Sequence, residues 1–181
     1  MLKLTFEPIE KYDELTNTFQ YCDKCEITLE HSLVSISKWE AKWHKPFLSK
    51  EEKTLEEIID YIKCMTITKN VDEDVYSRLT EEHLQAVRDY IENPMTATTF
   101  SNLQEGRKIN REIITSEIIY YWMTVFNIPF ECEKWHLNRL LTLINVCNIK
   151  NSPPKKMGKR EIYLRNKALN MARRRALKTG G

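Results

Sequence analysis

The first part of the chain alternates between apolar and polar positions, a pattern typical of half-buried β-strands. Residues 2–6 place leucine and phenylalanine on one face, because successive side chains of a strand point to opposite faces. A second alternating run covers residues 25–30, and residues 19–21 predict a short third strand. We therefore expect a small antiparallel hairpin or meander within residues 1–31.

From residue 33 the apolar spacing changes to steps of three and four, which indicates an amphipathic helix. Ser32 can cap its N-terminus, and Pro46 disfavours helix at the residue before it. Trp39 and Trp43 share its apolar face, and aromatic pairs at this spacing are more often core than binding surface. We expect both rings to be buried, packing this helix onto the sheet.

Two further helices carry start signals. The S-x-x-E spacing of Ser49–Glu52 predicts a capping box ahead of the apolar residues in 55–62. Thr80 can cap another helix, which ends at Asn93 because proline follows. The acids within residues 51–57 are interpreted as a solvated helix face rather than a catalytic pair.

The most apolar segment comes later, at residues 111–126, where apolar side chains cover more than one helical face. Such a helix belongs in the centre of a domain or under a partner. Residues 135–147 predict a second strong helix, and residues 158–177 a helix with few large apolar residues. The fold predicted is mainly α: a helical domain with a small N-terminal antiparallel β-hairpin or meander and a basic C-terminal helix or tail.

Charge divides the chain into two parts. Residues 152–181 hold ten lysines or arginines and one acid, a net charge of +9, while the other 151 residues carry −7. We therefore predict a globular α-rich domain over 1–151 and a basic tail, helical or mobile, over 152–181. The candidate contact residues of the tail are Lys155, Lys156, Lys159, Arg160, Arg173, Arg174, Arg175 and Lys178.

Composition disfavours several classes of function. The chain of 181 residues has four glycines and none before Gly106, whereas loops that cradle phosphates need glycine where the backbone approaches the ligand. A P-loop or a dinucleotide-binding fold is therefore not expected. No apolar signal segment follows Met1, and no apolar run is long enough to span a membrane, so neither secretion nor a membrane partner is indicated.

The cysteines and histidines complete no catalytic or metal-binding motif. Cys22 and Cys25 have zinc-knuckle spacing, and Cys132 with His136 could complete a tetrahedral site. One such pair is only half a motif, and packing already explains the segment that contains Cys132. Because no nucleophile pattern accompanies the scattered histidines, we expect no metal, no cofactor and no enzymatic activity.

The basic tail has three interpretations that the sequence leaves open. Its charges could neutralise nucleic-acid phosphates, bind an acidic protein partner, or stay solvated near the acidic body. Tyr163 is its one aromatic residue, so the tail offers few side chains on which bases could stack.

Several long segments of the chain resemble one protein family. They are LEHSLVSISKWEAKWHKPFLS, YIKCMT, PMTATTF, REIITSEIIYYWMTVFNIPFECEKWHLNRLLTLINVCNIKNSPPKKM and the closing ALNMARRRALKTGG. Together they resemble the tail assembly chaperones of long-tailed bacteriophages, which are made just ahead of the tape measure protein. The resemblance covers nearly the whole chain after residue 25.

The resemblance implies a non-enzymatic protein that acts in the cytoplasm of the host bacterium and is absent from the mature virion. It would coat its client, the long, apolar and helical tape measure protein, and help tail-tube subunits polymerise around it. Both the tape measure protein and the tail-tube protein are thus expected partners.

Candidate client contacts lie in two apolar segments. A chaperone for a helical client needs an apolar groove and repeated weak contacts. Met95 and Phe100 lie in the loop PMTATTF, and Trp122 and Phe126 lie in the most apolar segment. Opposite charges on body and tail favour head-to-tail self-association, and nucleic-acid binding through the tail is the alternative function.

Overall fold

The fold is mainly α-helical, with four short strands at its N-terminal end. The computed structural model describes residues 1–13, 18–99, 113–152 and 158–177. The strands are β1 (Leu2–Phe6), β2 (Ile9–Asp13), β3 (Thr18–Cys22) and β4 (Cys25–Leu29). The helices are α1 (Leu33–Trp43), α2 (Leu55–Met65), α3 (Glu73–Ser77), α4 (Glu81–Glu92), α5 (Ser116–Val125), α6 (Leu137–Asn151) and α7 (Lys159–Leu177), with a 3-10 helix at Phe130–Lys134.

The strands form two antiparallel pairs. β1 pairs with β4, and β2 pairs with β3, so that Tyr12 lies opposite Phe19. The predicted strands β1, β3 and β4 are confirmed. The sequence does not predict β2, because Pro8 interrupts the alternation of apolar and polar residues. The strand is recognised in the structure by its antiparallel pairing with β3.

The core is formed by the β1–β4 pair and by the buried faces of helices α1 to α6. The inward apolar side chains of β1 and β4 are almost fully buried, while Lys3 and Glu26 form an ion pair on the outer face, with 2.8 Å between Nζ and Oε1. α4 packs against β1, and α1 packs against α2 and α5. α1 is therefore the helix that joins α2 and α5.

The two tryptophans of α1 face α2. Trp39 is 1% exposed, and its indole Nε1 donates a hydrogen bond of 2.9 Å to the carbonyl oxygen of Glu57. Trp43 is only half-buried, and its Nε1 donates to Oδ2 of Asp60 at 2.9 Å. The predicted burial is thus confirmed for Trp39 and only partial for Trp43, and both indoles bind α2 rather than the sheet.

The capping box predicted at Ser49–Glu52 is wrong. The box that starts α2 is formed by Thr54 and Glu57: Thr54 Oγ1 accepts from the Glu57 amide at 3.2 Å, and Glu57 Oε2 accepts from the Thr54 amide at 2.8 Å. Glu57, which the sequence placed on a solvated face, is 2% exposed. Its second carboxylate oxygen accepts a hydrogen bond from Lys45, and this bond lowers the pKa of Glu57.

The two apolar helices of the second half start later than predicted. α5 begins at Ser116, while Ile113 and Ile114 precede it without helical structure and residues 111–112 lie outside the described part. α6 begins at Leu137, because the chain first forms the 3-10 helix and Trp135 then has an extended backbone (φ −71°, ψ 162°).

The chain divides into two units, Met1–Asn148 and Ile149–Gly181. The second unit contains α7, which confirms the helix predicted over residues 158–177. Every α7 side chain that the structure describes is exposed. Among the helices of the described residues, none combines the length and the apolar composition needed to cross a membrane.

Candidate protein-binding surface

One face of α5 carries an apolar stripe on the surface. Ile118, Tyr121, Trp122 and Val125 are spaced i, i+3, i+4 and i+7, which places them side by side on a helix. Tyr121 is 65% and Val125 51% exposed, and the other two are partly exposed. Glu117 is the one charged residue of α5. We call these four residues the α5 stripe.

The opposite face of α5 anchors the helix in the core. Ile119 and Met123 are fully buried, and α5 packs against α1. Burial of two such side chains stabilises the docked helix by about 2–3 kcal/mol each. Because the inward face is fixed in this way, the α5 stripe must point outward.

A buried carboxylate holds the N-terminus of α5. Glu40 of α1 is 8% exposed, and its Oε2 accepts a hydrogen bond of 2.8 Å from the backbone amide of Ser116. Its Oε1 accepts a second bond of 2.8 Å from the amide of Phe47. A carboxylate is favourable here because the first amides of a helix have no partner within the helix and carry positive partial charge.

The chain turns sharply at the C-terminus of α5. Asn127 has a positive φ of 53°, a conformation that asparagine tolerates better than most residues. The amide of Ile128 then donates to the carbonyl of Met123 at 2.8 Å, and the Ile128 side chain returns to the core. Tyr120 donates its hydroxyl hydrogen to Glu133 at 2.9 Å, and burial together with this bond raises the pKa of Tyr120 to about 12.

The structure brings together two of the four predicted client contacts. Trp122 belongs to the α5 stripe, and Phe126 lies at the end of the same helix; both are partly buried against the core. Met95 lies in a separate loop after α4, where it is 37% exposed and has a positive φ of 48°. Phe100 lies outside the described residues.

Sequence reasoning does not single out Tyr121 and Val125, the most exposed members of the stripe. The apolar residues of this segment cover more than one helical face, so periodicity alone cannot tell the inward from the outward side. The feature of the sequence that could have identified them is the i, i+3, i+4, i+7 spacing of apolar residues in a helix with a single charged residue.

A second cluster, of buried polar side chains, lies around His31. Its Nδ1 lies 2.5 Å from the hydroxyl oxygen of Tyr61. The ring centres of His31 and His136 are 5.1 Å apart. Burial, and then the neighbouring His136, lowers the pKa of His31 to about 3. His31 is therefore neutral at physiological pH.

The same cluster continues through His136 to α4. Nε2 of His136 lies 3.0 Å from the carbonyl oxygen of Tyr90, and the Tyr90 hydroxyl donates to Glu30 at 2.8 Å. In the part of the chain that the structure describes, no buried side-chain polar atom lacks a hydrogen-bond partner. A fully satisfied, enclosed network of this kind favours a structural role over a catalytic one.

The cysteines of the hypothetical zinc site do not form a ligand set. Within residues 1–13, 18–99, 113–152 and 158–177, no group of three or more histidine, cysteine or acidic side chains is arranged to hold a metal ion. Cys132 is buried within the 3-10 helix, Cys22 ends β3, and Cys25 starts β4.

The predicted basic contacts lie on α7 or beyond it. Arg160 and Arg173–Arg175 project from α7 and are exposed, and Lys159 is its first residue. Lys155, Lys156 and Lys178 lie outside the described residues.

No protein family, curated protein sequence or solved structure matches this chain.

Proposed function

We propose that the protein is a non-enzymatic tail assembly chaperone of a long-tailed bacteriophage. Its client is the tape measure protein, and its role is to keep that client soluble while tail-tube subunits assemble around it. It acts in the cytoplasm of the host bacterium and leaves before the virion is mature. The sequence resemblance supports the identity of the client, and the α5 stripe supports the mode of binding.

The α5 stripe is the observation that carries the proposal. An exposed helix face with apolar anchors at i, i+3, i+4 and i+7 matches the spacing by which helices recognise one another. An apolar helical client presents the same spacing along its whole length. Each copy of the chaperone would bind one short segment, and many copies would cover the client.

Self-association of the chaperone is part of the proposal. Residues 1–151, the body, have a net charge of −7, and residues 152–181, the tail, have a net charge of +9. The body of one copy therefore attracts the tail of the next. A head-to-tail contact makes an open array when its rotation does not close a ring, and the proposal is that such an array extends along the client.

Removing the exposed members of the stripe is predicted to weaken client binding. The variant Tyr121→Ser with Val125→Ser loses apolar contact area, and we expect a roughly tenfold or larger loss of affinity. The matched control is Leu55→Ser with Ile67→Ser, which also removes two exposed apolar side chains. Leu55 is the first residue of α2 and is 61% exposed, and Ile67 follows the helix and is 49% exposed. Co-expression with the tape measure protein, pulldown and light scattering measure the copies bound per client.

The proposal is contradicted if the stripe variant and the α2 control retain equal amounts of client. It is also contradicted if client binding disappears when salt is raised from about 0.1 M to about 0.5 M, because contacts between apolar surfaces persist at high salt and ionic contacts do not. Thermal unfolding of both variants shows whether they remain folded.

A further inference from the structure

One face of α7 gathers side chains that can hydrogen-bond to base edges. Asn166, Asn170 and Arg174 follow one another at steps of four along the helix, and Lys167 comes three residues before Asn170, so the four lie on one side of the helix. All four are exposed. Together with Tyr163 and Met171 they line a shallow depression of about 400 Å³. We call the four hydrogen-bonding residues the α7 stripe.

The charge of α7 suits a polyanion. Residues 159–177 include seven lysines or arginines and one glutamate, a net charge of +6. At a rise of about 1.5 Å per residue the helix is about 28 Å long, close to the roughly 34 Å of one turn of duplex DNA.

Arginines flank the α7 stripe on both sides. Successive residues of a helix are turned by about 100°, so Arg160 lies on one side of the stripe and Arg173 on the other. Both are exposed. When the stripe faces the floor of a groove, these two guanidinium groups reach toward the phosphates of the two walls.

The chemistry of the stripe corresponds to direct readout in the major groove. Asparagine can donate to and accept from adenine at the same time, and arginine and lysine donate to guanine. The major groove of B-form DNA is about 12 Å wide and admits an α-helix. The groove of A-form RNA is too narrow for this, and a single-strand site would need more aromatic side chains than Tyr163.

We propose that α7 binds double-stranded DNA in the major groove, with the α7 stripe on base edges and Arg160 and Arg173 on phosphates. This activity goes beyond the chaperone function. It resides in the unit Ile149–Gly181, whereas the α5 stripe belongs to Met1–Asn148. Failure of either proposal therefore leaves the other standing.

The first test measures affinity and its salt dependence with the full-length protein. The probes are a labelled random-sequence duplex DNA of about 20 base pairs, a double-stranded RNA of equal length, and single-stranded DNA. We expect the duplex DNA to bind most tightly. Arg160→Ala with Arg173→Ala should weaken it roughly tenfold and reduce the slope of log affinity against log salt by about two, since each lost phosphate contact contributes about 0.9.

The matched control removes two positive charges from the other unit. Lys38 and Arg88 are exposed on α1 and α4, and Lys38→Ala with Arg88→Ala should leave the slope unchanged. Equal losses in the α7 variant and the control would overturn the proposal. So would single-stranded DNA or double-stranded RNA binding as tightly as duplex DNA. Circular dichroism checks that the helical content of each variant is intact.

The second test separates base readout from charge. Selection from a randomised duplex pool should enrich particular sequences with the unmodified protein. Asn166→Ala with Asn170→Ala keeps every charge, and we expect it to lose this enrichment while keeping the salt slope. Enrichment that survives in this variant would rule out base readout by the α7 stripe. The arginine variant should still co-purify with the tape measure protein.

Discussion

Replacing Glu40 with alanine is expected to lower the free energy of unfolding by about 3–5 kcal/mol. The carboxylate accepts hydrogen bonds from the amides of Ser116 and Phe47, and both donors lose their partner in the variant. A buried donor without an acceptor costs about 1–3 kcal/mol. Urea unfolding followed by circular dichroism measures the change.

Two further variants make this prediction specific. Glu40→Gln keeps one acceptor oxygen, so it should cost about half as much as the alanine variant. Glu92→Ala removes an exposed carboxylate from the end of α4 and should change stability by no more than about 0.5 kcal/mol. A loss below about 1 kcal/mol for Glu40→Ala would show that the two amides find other partners, and that Glu40 does not fix the start of α5.

Loss of Glu40 is also expected to weaken client binding. Ser116 is the first residue of α5, so its hydrogen bond to Glu40 sets where the helix begins relative to α1. If that end frays, the α5 stripe loses its fixed geometry, and ordering it again on binding costs free energy.

Acidification from pH 7 to pH 5 is expected to destabilise the protein by about 2 kcal/mol through His31. Burial lowers the pKa of His31 to about 3, against an ordinary value of 6.5. Between these values the unfolded chain binds a proton that the folded protein excludes, so stability is full above about pH 6.5 and falls as the pH drops. The pKa of His136 is lowered too, also mainly by burial, and adds to the effect.

Removal of the histidine should reduce this pH dependence. His31→Asn retains a polar atom near the position of Nδ1 for the Tyr61 hydroxyl, and it has no group that titrates in this range. We expect lower stability at pH 7 but a fall to pH 5 smaller by about 1–2 kcal/mol. The control His44→Asn replaces an exposed histidine at a positive φ of 53°, which asparagine tolerates.

The buried carboxylates act in a different pH range. Burial alone would raise the pKa of Asp60, but the hydrogen bonds from Lys42 and Trp43 lower it overall. The pKa of Glu57 is lowered as well, so the stability that both carboxylates contribute is lost only when the pH falls below the ordinary carboxylate range.

An equal fall in the free energy of unfolding from pH 7 to pH 5 in His31→Asn and in the unmodified protein would contradict the assignment of this pH dependence to His31.

Local signals in the sequence predict the helix starts that depend on near neighbours. Ser32 and Thr80 cap α1 and α4 as expected, because each accepts from an amide three residues ahead. The same rule applied to Ser49 gives the wrong cap, since Thr54 with Glu57 satisfies it five residues later. Two candidates within one segment cannot be separated by spacing alone.

Rules based on neighbouring residues do not predict the burial of the charged side chains. Glu40 meets an amide 76 residues away, and Tyr90 reaches Glu30 across 60 residues. Periodicity places Glu40 beside the apolar face of α1 but gives no reason for burying it, because its partners come together only in the folded chain. The direction of the α5 stripe depends in the same way on tertiary packing with α1.

The most direct test of the chaperone function is the mass of the complex formed when the unmodified protein is co-expressed with the tape measure protein of the same phage. Size-exclusion chromatography with light scattering in about 0.5 M salt would measure it, since ionic contacts are largely screened under these conditions. We predict a soluble complex with many copies of the protein on each client. An insoluble client beside free protein of monomer mass would contradict the proposed function.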